Sequence, residues 1–185
     1  MAFEATKREW SELYAFFRLL ADGQVALGTL QVKADEERCW PIAMIQREEH
    51  DGTRRYYIEK EDIHIVGENI DKRIAREDFD IVSGLILTAM KSSSKDDVTS
   101  PEGVEEFLDE AAIFDLEAKT DDRTDFSVAF WHPEAPLTGL NVRSRLSAMN
   151  PLLDGGRSAN LKLEQTGVKF AVPTVNKINA LPESP

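Results

Sequence analysis

TDDRTDFSVAF at residues 120–130 and GLNVRSRL at residues 139–146 are the two stretches that decide how this chain folds. The first predicts a β-strand, because apolar side chains alternate with small or polar ones through its second half. The second predicts the neighbouring strand. The residues between the two stretches include two prolines and predict the loop that connects the strands. The pair therefore predicts a β-hairpin with an acid, Asp125, at the start of its first strand.

The second strand of this hairpin carries its polar side chains on one face. Successive side chains of a strand point to opposite faces, so Asn141, Arg143 and Arg145 share a face. If the two strands pair in antiparallel register, Asp125 lies at the end of the sheet where these side chains emerge. A carboxylate that can hold a divalent metal ion, beside a cation that can stabilise charge on a phosphate, is what metal-dependent phosphodiester hydrolysis requires.

Charge is distributed unevenly along the chain. The whole chain has a net charge of −12, which argues against a nucleic-acid partner. Residues 1–138 hold 16 basic and 31 acidic side chains, whereas residues 139–179 hold six basic and two acidic ones. A basic segment after an acidic one is expected where one face of a protein meets an anion, although an ordinary solvated surface can show the same pattern.

Three helices are predicted outside the hairpin. Apolar residues at helical spacing predict a helix over residues 5–22 and another over residues 76–91. A third is predicted over residues 101–112, with Ser100 as its N-cap and Pro101 at its first position. The middle of the chain is therefore expected to be largely helical.

Two further β-elements are predicted. Residues 41–67 predict a second hairpin, with Asp51 and Gly52 in its turn. Residues 113–120, IFDLEAKT, alternate weakly and predict a strand that leads towards Asp125. The fold class we predict is α/β, a central mixed β-sheet that is formed largely by residues 113–170 and flanked by the helices.

Two acids lie on the apolar side of the first helix, where they are unexpected. At 100° per residue, Glu9 falls within the apolar arc and Glu12 lies between Phe16 and Leu19. A carboxylate beside a buried face costs free energy unless something pairs with it. Each of these acids therefore either reaches the helix end or meets a metal ion or a cation.

Several classes of site are excluded or disfavoured. Cys39 is the only cysteine, so an internal disulfide and a thiolate zinc cluster are impossible. The three histidines, His50, His64 and His132, lack the spacing of metal ligands. The sequence has no glycine-rich phosphate loop, no nucleophile elbow and no run of about 18 apolar residues that could span a membrane. We expect a cytoplasmic protein.

Three segments together resemble the HpaII-type restriction endonucleases, which are similar to the PD-(D/E)XK nucleases that cleave DNA with Mg²⁺. They are KREWSELYAFFRLLADG at residues 7–23, LEAKTDDRTDF at residues 116–126, and GLNVRSRLSAMNPLLDGGRSANLKLE at residues 139–164. The resemblance implies a restriction-endonuclease-like α/β fold and Mg²⁺-dependent cleavage of double-stranded DNA at a short specific site, CCGG by analogy. It also implies a place in a restriction-modification system and a homodimer.

Matching positions assign roles to individual residues. The resemblance implies that Asp125 is a metal ligand and that Arg143 takes the place of the catalytic lysine. Asn141 stands where related nucleases have their second acid. Glu12 matches the supplementary acid that some of these nucleases send into the site from the opening helix, as a further metal ligand, with Glu9 as the alternative.

DNA contacts and a replacement lysine are suggested by residue chemistry and by an acid-x-Lys pattern at residues 117–119. The candidates for contact with DNA are Arg145, Arg157, Asn160 and Lys162, since Arg and Lys bind guanine edges in the major groove. Lys119 could supply the lysine that Arg143 replaces, but it precedes Asp125 instead of following it.

Two hypotheses of different classes follow. Arg143 is always charged and cannot share a proton with water as a lysine can, although it binds phosphate well. The protein is therefore either an active endonuclease or a catalytically silent DNA-binding or assembly module of the same fold. We expect one nuclease-like domain over residues 1–175, incomplete at its C-terminus because family members are longer, and a tail over residues 176–185.

Overall fold

The computed structural model describes residues 3–29, 33–117, 124–131 and 136–147, together with Pro173. The chain divides into two compact units, Met1–Asn150 and Pro151–Pro185. The elements below all belong to the first unit. The predicted boundary between a domain and a tail at residue 175 lies outside the described residues.

Nine strands and three helices are described in this unit. In chain order they are β1 (Glu4–Thr6), α1 (Lys7–Asp22), β2 (Gln24–Gly28), β3 (Ala34–Glu49), β4 (Gly52–Ile58), β5 (Asp62–Gly67), β6 (Ile70–Ala75), α2 (Arg76–Ser92), β7 (Asp97–Thr99), α3 (Val104–Glu110), β8 (Phe126–Phe130) and β9 (Thr138–Leu140). None of the helices in this described part of the chain is long and apolar enough to cross a membrane.

The main sheet has seven strands. Six of them follow the order β6-β5-β4-β3-β8-β9, and β2 pairs with the early part of β3. β1 and β7 form a separate two-stranded sheet. Every pairing among the described strands is antiparallel. The long strand β3 is the centre of this arrangement, because it pairs with β2, β4 and β8.

α1 is fixed at both ends by its own sequence. At its start the Thr6 hydroxyl accepts the Glu9 N–H and the Glu9 carboxylate accepts the Thr6 N–H, which is a capping box. At its end Gly23 adopts a left-handed conformation, with φ of 63°, and donates its N–H to Leu19. The predicted first helix is confirmed.

The core lies between α1, the sheet and the other two helices. On α1, Phe16 contacts Tyr56 of β4 and Phe126 of β8, with ring centroids 4.9 and 5.6 Å apart. The next residue, Phe17, contacts Phe79 of α2, which lies 5.6 Å away. These aromatic side chains are completely or almost completely buried. α1 therefore links the sheet to α2, and strand β8 is held from its buried face.

The predicted α/β class, a central sheet flanked by helices, is confirmed, but the source of the strands differs from the prediction. Most strands come from residues 24–75, where the hairpin predicted around Asp51 and Gly52 forms as β3 and β4. Residues 113–117 form no strand, because side chains of β3 bind the backbone of residues 114–116 in place of a neighbouring strand. The rest of that predicted strand, residues 118–120, lies outside the described residues.

Two predicted boundaries were also wrong. α3 begins at Val104 with Gly103 at its N-cap, because the predicted cap, Ser100, donates its hydroxyl to the side chain of Glu105 at 2.6 Å. The strand predicted over residues 140–146 ends at Leu140. Beyond that point the chain is bonded to side chains, as described below, instead of to a neighbouring strand.

Candidate functional site

Asp125 and the segment after β9 are joined by two hydrogen bonds. The Asp125 N–H donates to the Leu140 carbonyl at 2.9 Å, and one oxygen of the Asp125 carboxylate accepts the Val142 N–H at 2.5 Å. The register agrees, since Phe126 is the partner of Leu140. The Asp125 carboxylate therefore lies beside a residue that stands between Asn141 and Arg143 in the chain.

The side chains of residues 141–145 alternate as the sequence predicted, even though the strand has ended. Asn141, Arg143 and Arg145 are exposed, whereas Val142 and Ser144 are half-buried. The Ser144 hydroxyl is anchored to α1, because the Ser11 hydroxyl donates to it at 2.7 Å. The amide and the two guanidinium groups therefore occur on the exposed side of a segment that is held on both sides, by Asp125 and by α1.

Both acids on the apolar side of α1 have partners. Glu9 completes the capping box described above. Glu12 is buried, and one of its carboxylate oxygens accepts a hydrogen bond from Arg47 of β3 at 3.3 Å. The sequence allowed a cation or a metal ion as the reason for a carboxylate in this position, and the structure has a cation there. To act as a metal ligand as well, the Glu12 carboxylate would have to bind the ion in addition to Arg47.

Arg47 is the centre of a buried cluster that the sequence analysis missed. Its guanidinium is fully buried and forms ion pairs with Glu12 and with Glu49, which is buried on the same strand. It also donates to the carbonyls of Asp115 and Leu116 at 2.8 and 2.9 Å. A signal was available: Ile45, Arg47 and Glu49 alternate on the inward face of a predicted strand, and buried charges of opposite sign at i and i+2 indicate a paired cluster.

Glu49 completes the cluster, because it binds backbone N–H groups of the segment whose carbonyls Arg47 binds. One of its oxygens accepts the N–H groups of Phe114 and Asp115 at 3.0 and 2.8 Å. Burial raises the pKa of the Glu49 carboxyl above its ordinary value, while the charge of Arg47 and these two N–H groups oppose that rise. Arg47 and Glu49 thus hold both the carbonyls and the amides of residues 114–116.

The donor set at Asp125 is compatible with a magnesium ion. Mg²⁺ prefers oxygen ligands and is commonly bound by one or two carboxylates together with water and phosphate oxygens. Asp125 can supply a carboxylate oxygen, and Asn141 can supply an amide oxygen. Within residues 3–29, 33–117, 124–131 and 136–147, no group of three His, Cys, Asp or Glu side chains is placed to hold a metal ion. Such an ion would therefore depend on water and on the substrate for most of its ligands.

Four of the predicted residues cannot be placed. Lys119, Arg157, Asn160 and Lys162 lie outside the described residues. The structure therefore brings Asp125 next to residues 141–143 and gives Glu12 another partner, and it carries no information on the other DNA contacts.

Comparison with known proteins agrees with the resemblance in sequence. The model of the family described as HpaII restriction endonuclease matches residues 6–184 of this chain. The Type II restriction enzyme HpaII of Haemophilus parainfluenzae is 26% identical over 192 residues, which cover 98% of this chain and 52% of that enzyme. The chain thus spans about half the length of the curated relative that it matches. No solved structure matches it.

Proposed function

The chain belongs to the HpaII restriction endonuclease family, and from that premise we propose that it carries the activity of a type II restriction endonuclease, which hydrolyses double-stranded DNA at a short specific site with Mg²⁺. The observation that supports this most directly is the bond from the Val142 N–H to the Asp125 carboxylate. It brings the predicted metal ligand to the segment that carries the predicted catalytic cation.

In this proposal each residue has a distinct task. Asp125 and the amide oxygen of Asn141 would hold the ion, and a bound Mg²⁺ supplies a water of lowered pKa and neutralises charge on the phosphate. Arg143 presents a planar, permanently charged group with which to bind the scissile phosphate. Glu12 already pairs with Arg47, so in this proposal Asp125 carries most of the metal binding.

DNA recognition is proposed for the basic residues that follow. Arg145 is exposed beside Arg143, and Arg157, Asn160 and Lys162 follow in the chain. Arg and Lys donate to guanine O6 and N7, and Asn pairs with adenine, so this set suits a site that is rich in G·C pairs. By analogy with the family we propose CCGG, and sequencing the ends of cleaved plasmid DNA would identify the site.

The second candidate is a catalytically silent DNA-binding or assembly module. It is favoured by Arg143, which cannot exchange a proton with the attacking water as a lysine can. The engagement of Glu12 by Arg47 favours it as well, because it leaves Asp125 without that second acid. A module of this kind would bind DNA without cutting it.

Cleavage of plasmid DNA separates the two candidates. The endonuclease proposal predicts nicks or cuts with Mg²⁺, none with EDTA, and loss of activity by at least about a hundredfold in Asp125→Ala, because a metal ligand is removed. Asp109→Ala, at an exposed position of α3, is the matched control and should cut normally. If the unaltered protein binds DNA but cuts nothing while Arg143→Lys cuts, the silent module is the better description.

The family also suggests a setting and an assembly. We propose that the protein acts in the cytoplasm as part of a restriction-modification system, and as a homodimer on DNA. Two copies match the two-fold symmetry of a short palindromic site. Sedimentation velocity with and without a duplex that contains the site tests the dimer, and a mass of one copy per duplex would contradict it.

A further inference from the structure

We propose that Arg47 is a positioning residue for the candidate site: from the buried face of β3 it fixes the geometry of Asp125 and Val142 without contacting either of them. This inference rests on the proposed function, because it concerns the same site. Three sets of contacts connect Arg47 with the site, through the sheet, through residues 114–116 and through α1.

The sheet brings Arg47 close to the start of β8. Ile45 pairs with Val128 and Gln46 with Ser127, so the next residue, Arg47, comes level with Phe126 in this antiparallel register. Phe126 directly follows Asp125 in the chain. The buried faces agree with this register, since Ile45, Arg47, Phe126 and Val128 are all buried.

The ring of Phe16 on α1 packs near a side chain of each of these two strands. The guanidinium carbon of Arg47 lies 6.0 Å from the centroid of the Phe16 ring, and that ring lies 5.6 Å from the Phe126 ring. A shift of the Arg47 side chain therefore changes what Phe126 packs against, and close-packed cores transmit such shifts. The Phe16 ring thus connects Arg47 with the residue that directly follows Asp125.

Residues 114–116 are held from both sides by the Arg47 cluster. Arg47 binds the Asp115 and Leu116 carbonyls, while Glu49 binds the Phe114 and Asp115 N–H groups. These residues form no strand, so side chains take the place of a neighbouring strand as their hydrogen-bond partners. Arg47 and Glu49 thus fix residues 114–116, which precede Asp125 in the sequence.

The contact with α1 reaches the other half of the site. Arg47 binds Glu12, and the preceding residue on α1, Ser11, binds Ser144 in the segment that carries Asn141 and Arg143. Arg47 consequently touches α1 next to the residue that anchors this segment. The Asp125 side and the Arg143 side of the site are both connected to one guanidinium.

The chemistry of the group makes the proposal testable. A guanidinium serves partners in several directions at once through a rigid planar fork, whereas a lysine ammonium is a compact point charge on a flexible stem. Arg47→Lys therefore keeps the buried charge but cannot serve Glu12, Glu49 and the two carbonyls together. Arg54 on β4 provides the matched control, because it is equally buried but pairs with Asp51. Its guanidinium carbon lies 5.8 Å from the centroid of the Phe114 ring, a contact that a lysine ammonium can also make, and its described hydrogen bonds reach neither α1 nor residues 114–116.

Hydrogen exchange of the Val142 amide, followed by NMR, is the decisive measurement. This amide donates to Asp125, so its protection reports the geometry of the site without requiring catalysis. We expect exchange to become roughly tenfold faster or more in Arg47→Lys and to change by less than about twofold in Arg54→Lys. The amides of β5 serve as the internal reference for the stability of the whole fold.

Two results would overturn the proposal. One is unchanged exchange at Val142 in Arg47→Lys. The other is an acceleration that the β5 amides share equally, because Arg47 would then support the fold as a whole. Should Arg47→Lys fail to fold, Glu49→Gln replaces it, since it removes one of the two anionic partners of Arg47 and should loosen Val142 in the same selective way.

Cleavage assays separate this proposal from the proposed function. In an active protein, Arg47→Lys should lower kcat about tenfold or more while the KM for DNA stays within about twofold, because the reacting groups are displaced and the DNA contacts are kept. A protein that never cuts DNA contradicts the endonuclease proposal but leaves the exchange result at Val142 fully interpretable. An equal loss of kcat in Arg54→Lys would count against a specific role for Arg47.

Discussion

At Glu49, burial and the charge of Arg47 have opposite effects on the pKa of the carboxyl group. Its side chain is fully buried, and Arg47 and two backbone N–H groups favour its charged form. Burial nevertheless raises its pKa above the ordinary value of 4.5, and Asp115 adds to that rise. The folded state therefore holds the Glu49 proton more tightly than the unfolded state does.

The pH dependence of stability follows from that difference. Because the folded-state pKa is the higher one, the contribution of Glu49 is most favourable below pH 4.5 and is lost as the pH rises through the raised pKa. We expect Glu49→Gln to flatten this decline in the free energy of unfolding, measured by urea denaturation between about pH 4 and 7. Glu48→Gln, on the opposite face of β3, should leave the decline unchanged. An identical pH profile for wild type and Glu49→Gln would contradict the expectation.

Glu12 tests whether the family's supplementary acid is used in this chain. Its carboxylate is buried and bonded to Arg47, and a glutamine can keep that hydrogen bond through its amide oxygen. If Glu12 serves only Arg47, we expect the Mg²⁺ concentration for half-maximal cleavage to change by less than about threefold in Glu12→Gln. An increase of tenfold or more would indicate that Glu12 binds the metal ion in the working enzyme.

The residues of the site differ in how far the sequence revealed them. Asp125 and Arg143 were singled out because a strand start and an alternating pattern are local features. Their roles remain predictions, and the Asp125–Val142 bond brings Asp125 next to the segment that carries Arg143. Arg47 was not found, because its partners come from α1 and from residues 114–116, which are distant in the chain. Propensity and periodicity contain no information about such long-range side-chain bonds to the backbone.

Among the elements, α1 and α2 show how a glycine acts differently at a helix end and inside a helix. Gly23 ends α1 in a left-handed conformation, and a Cβ added there would come within 2.8 Å of the Arg76 guanidinium, which donates to the Ala21 carbonyl. Gly84 lies inside α2, is exposed, and has no atom within 4 Å of an added Cβ. The same substitution should therefore have opposite effects on stability.

Thermal and urea unfolding of the two variants measure this difference. We expect Gly23→Ala to lower the free energy of unfolding by about 1 kcal/mol or more, through strain at positive φ and displacement of Arg76. We expect Gly84→Ala to raise it by roughly 0.5–1 kcal/mol, because alanine is the better residue inside a helix. Destabilisation of similar size by both substitutions would show that the C-cap of α1 has no special role.

How well an element was predicted depends on how far apart in the chain the residues that determine it lie. α1, α2 and the β3–β4 hairpin were predicted well, since capping residues, helical periodicity and an Asp-Gly turn are contained in short stretches. The strand predicted over residues 113–120 failed at residues 113–117, because their backbone groups are bonded to Arg47 and Glu49. Tertiary hydrogen bonds determine the backbone conformation of this segment, although its apolar and polar residues alternate weakly as in a strand.

At the scale of the whole molecule, the proposed binding of DNA has to work against a net charge of −12. Such a charge disfavours the non-specific approach of a polyanion, so basic groups must be concentrated where the DNA phosphates lie. The exposed residues Arg143 and Arg145 begin the basic part of the sequence, which continues outside the described residues. A small number of phosphate contacts should then account for most of the salt dependence of binding.

The salt dependence of the binding constant measures the number of these phosphate contacts. The logarithm of the binding constant falls with the logarithm of salt concentration, with a slope of about −0.9 per phosphate contact in duplex DNA. Measured by fluorescence anisotropy on a labelled duplex with Ca²⁺ in place of Mg²⁺, Arg143→Ala should reduce the slope by about one contact. Arg55→Ala, at an exposed position of β4, should leave the slope unchanged. A slope in Arg143→Ala equal to that of the unaltered protein would mean that another part of the molecule binds the phosphates, because removing this guanidinium would then leave the number of released counterions unchanged.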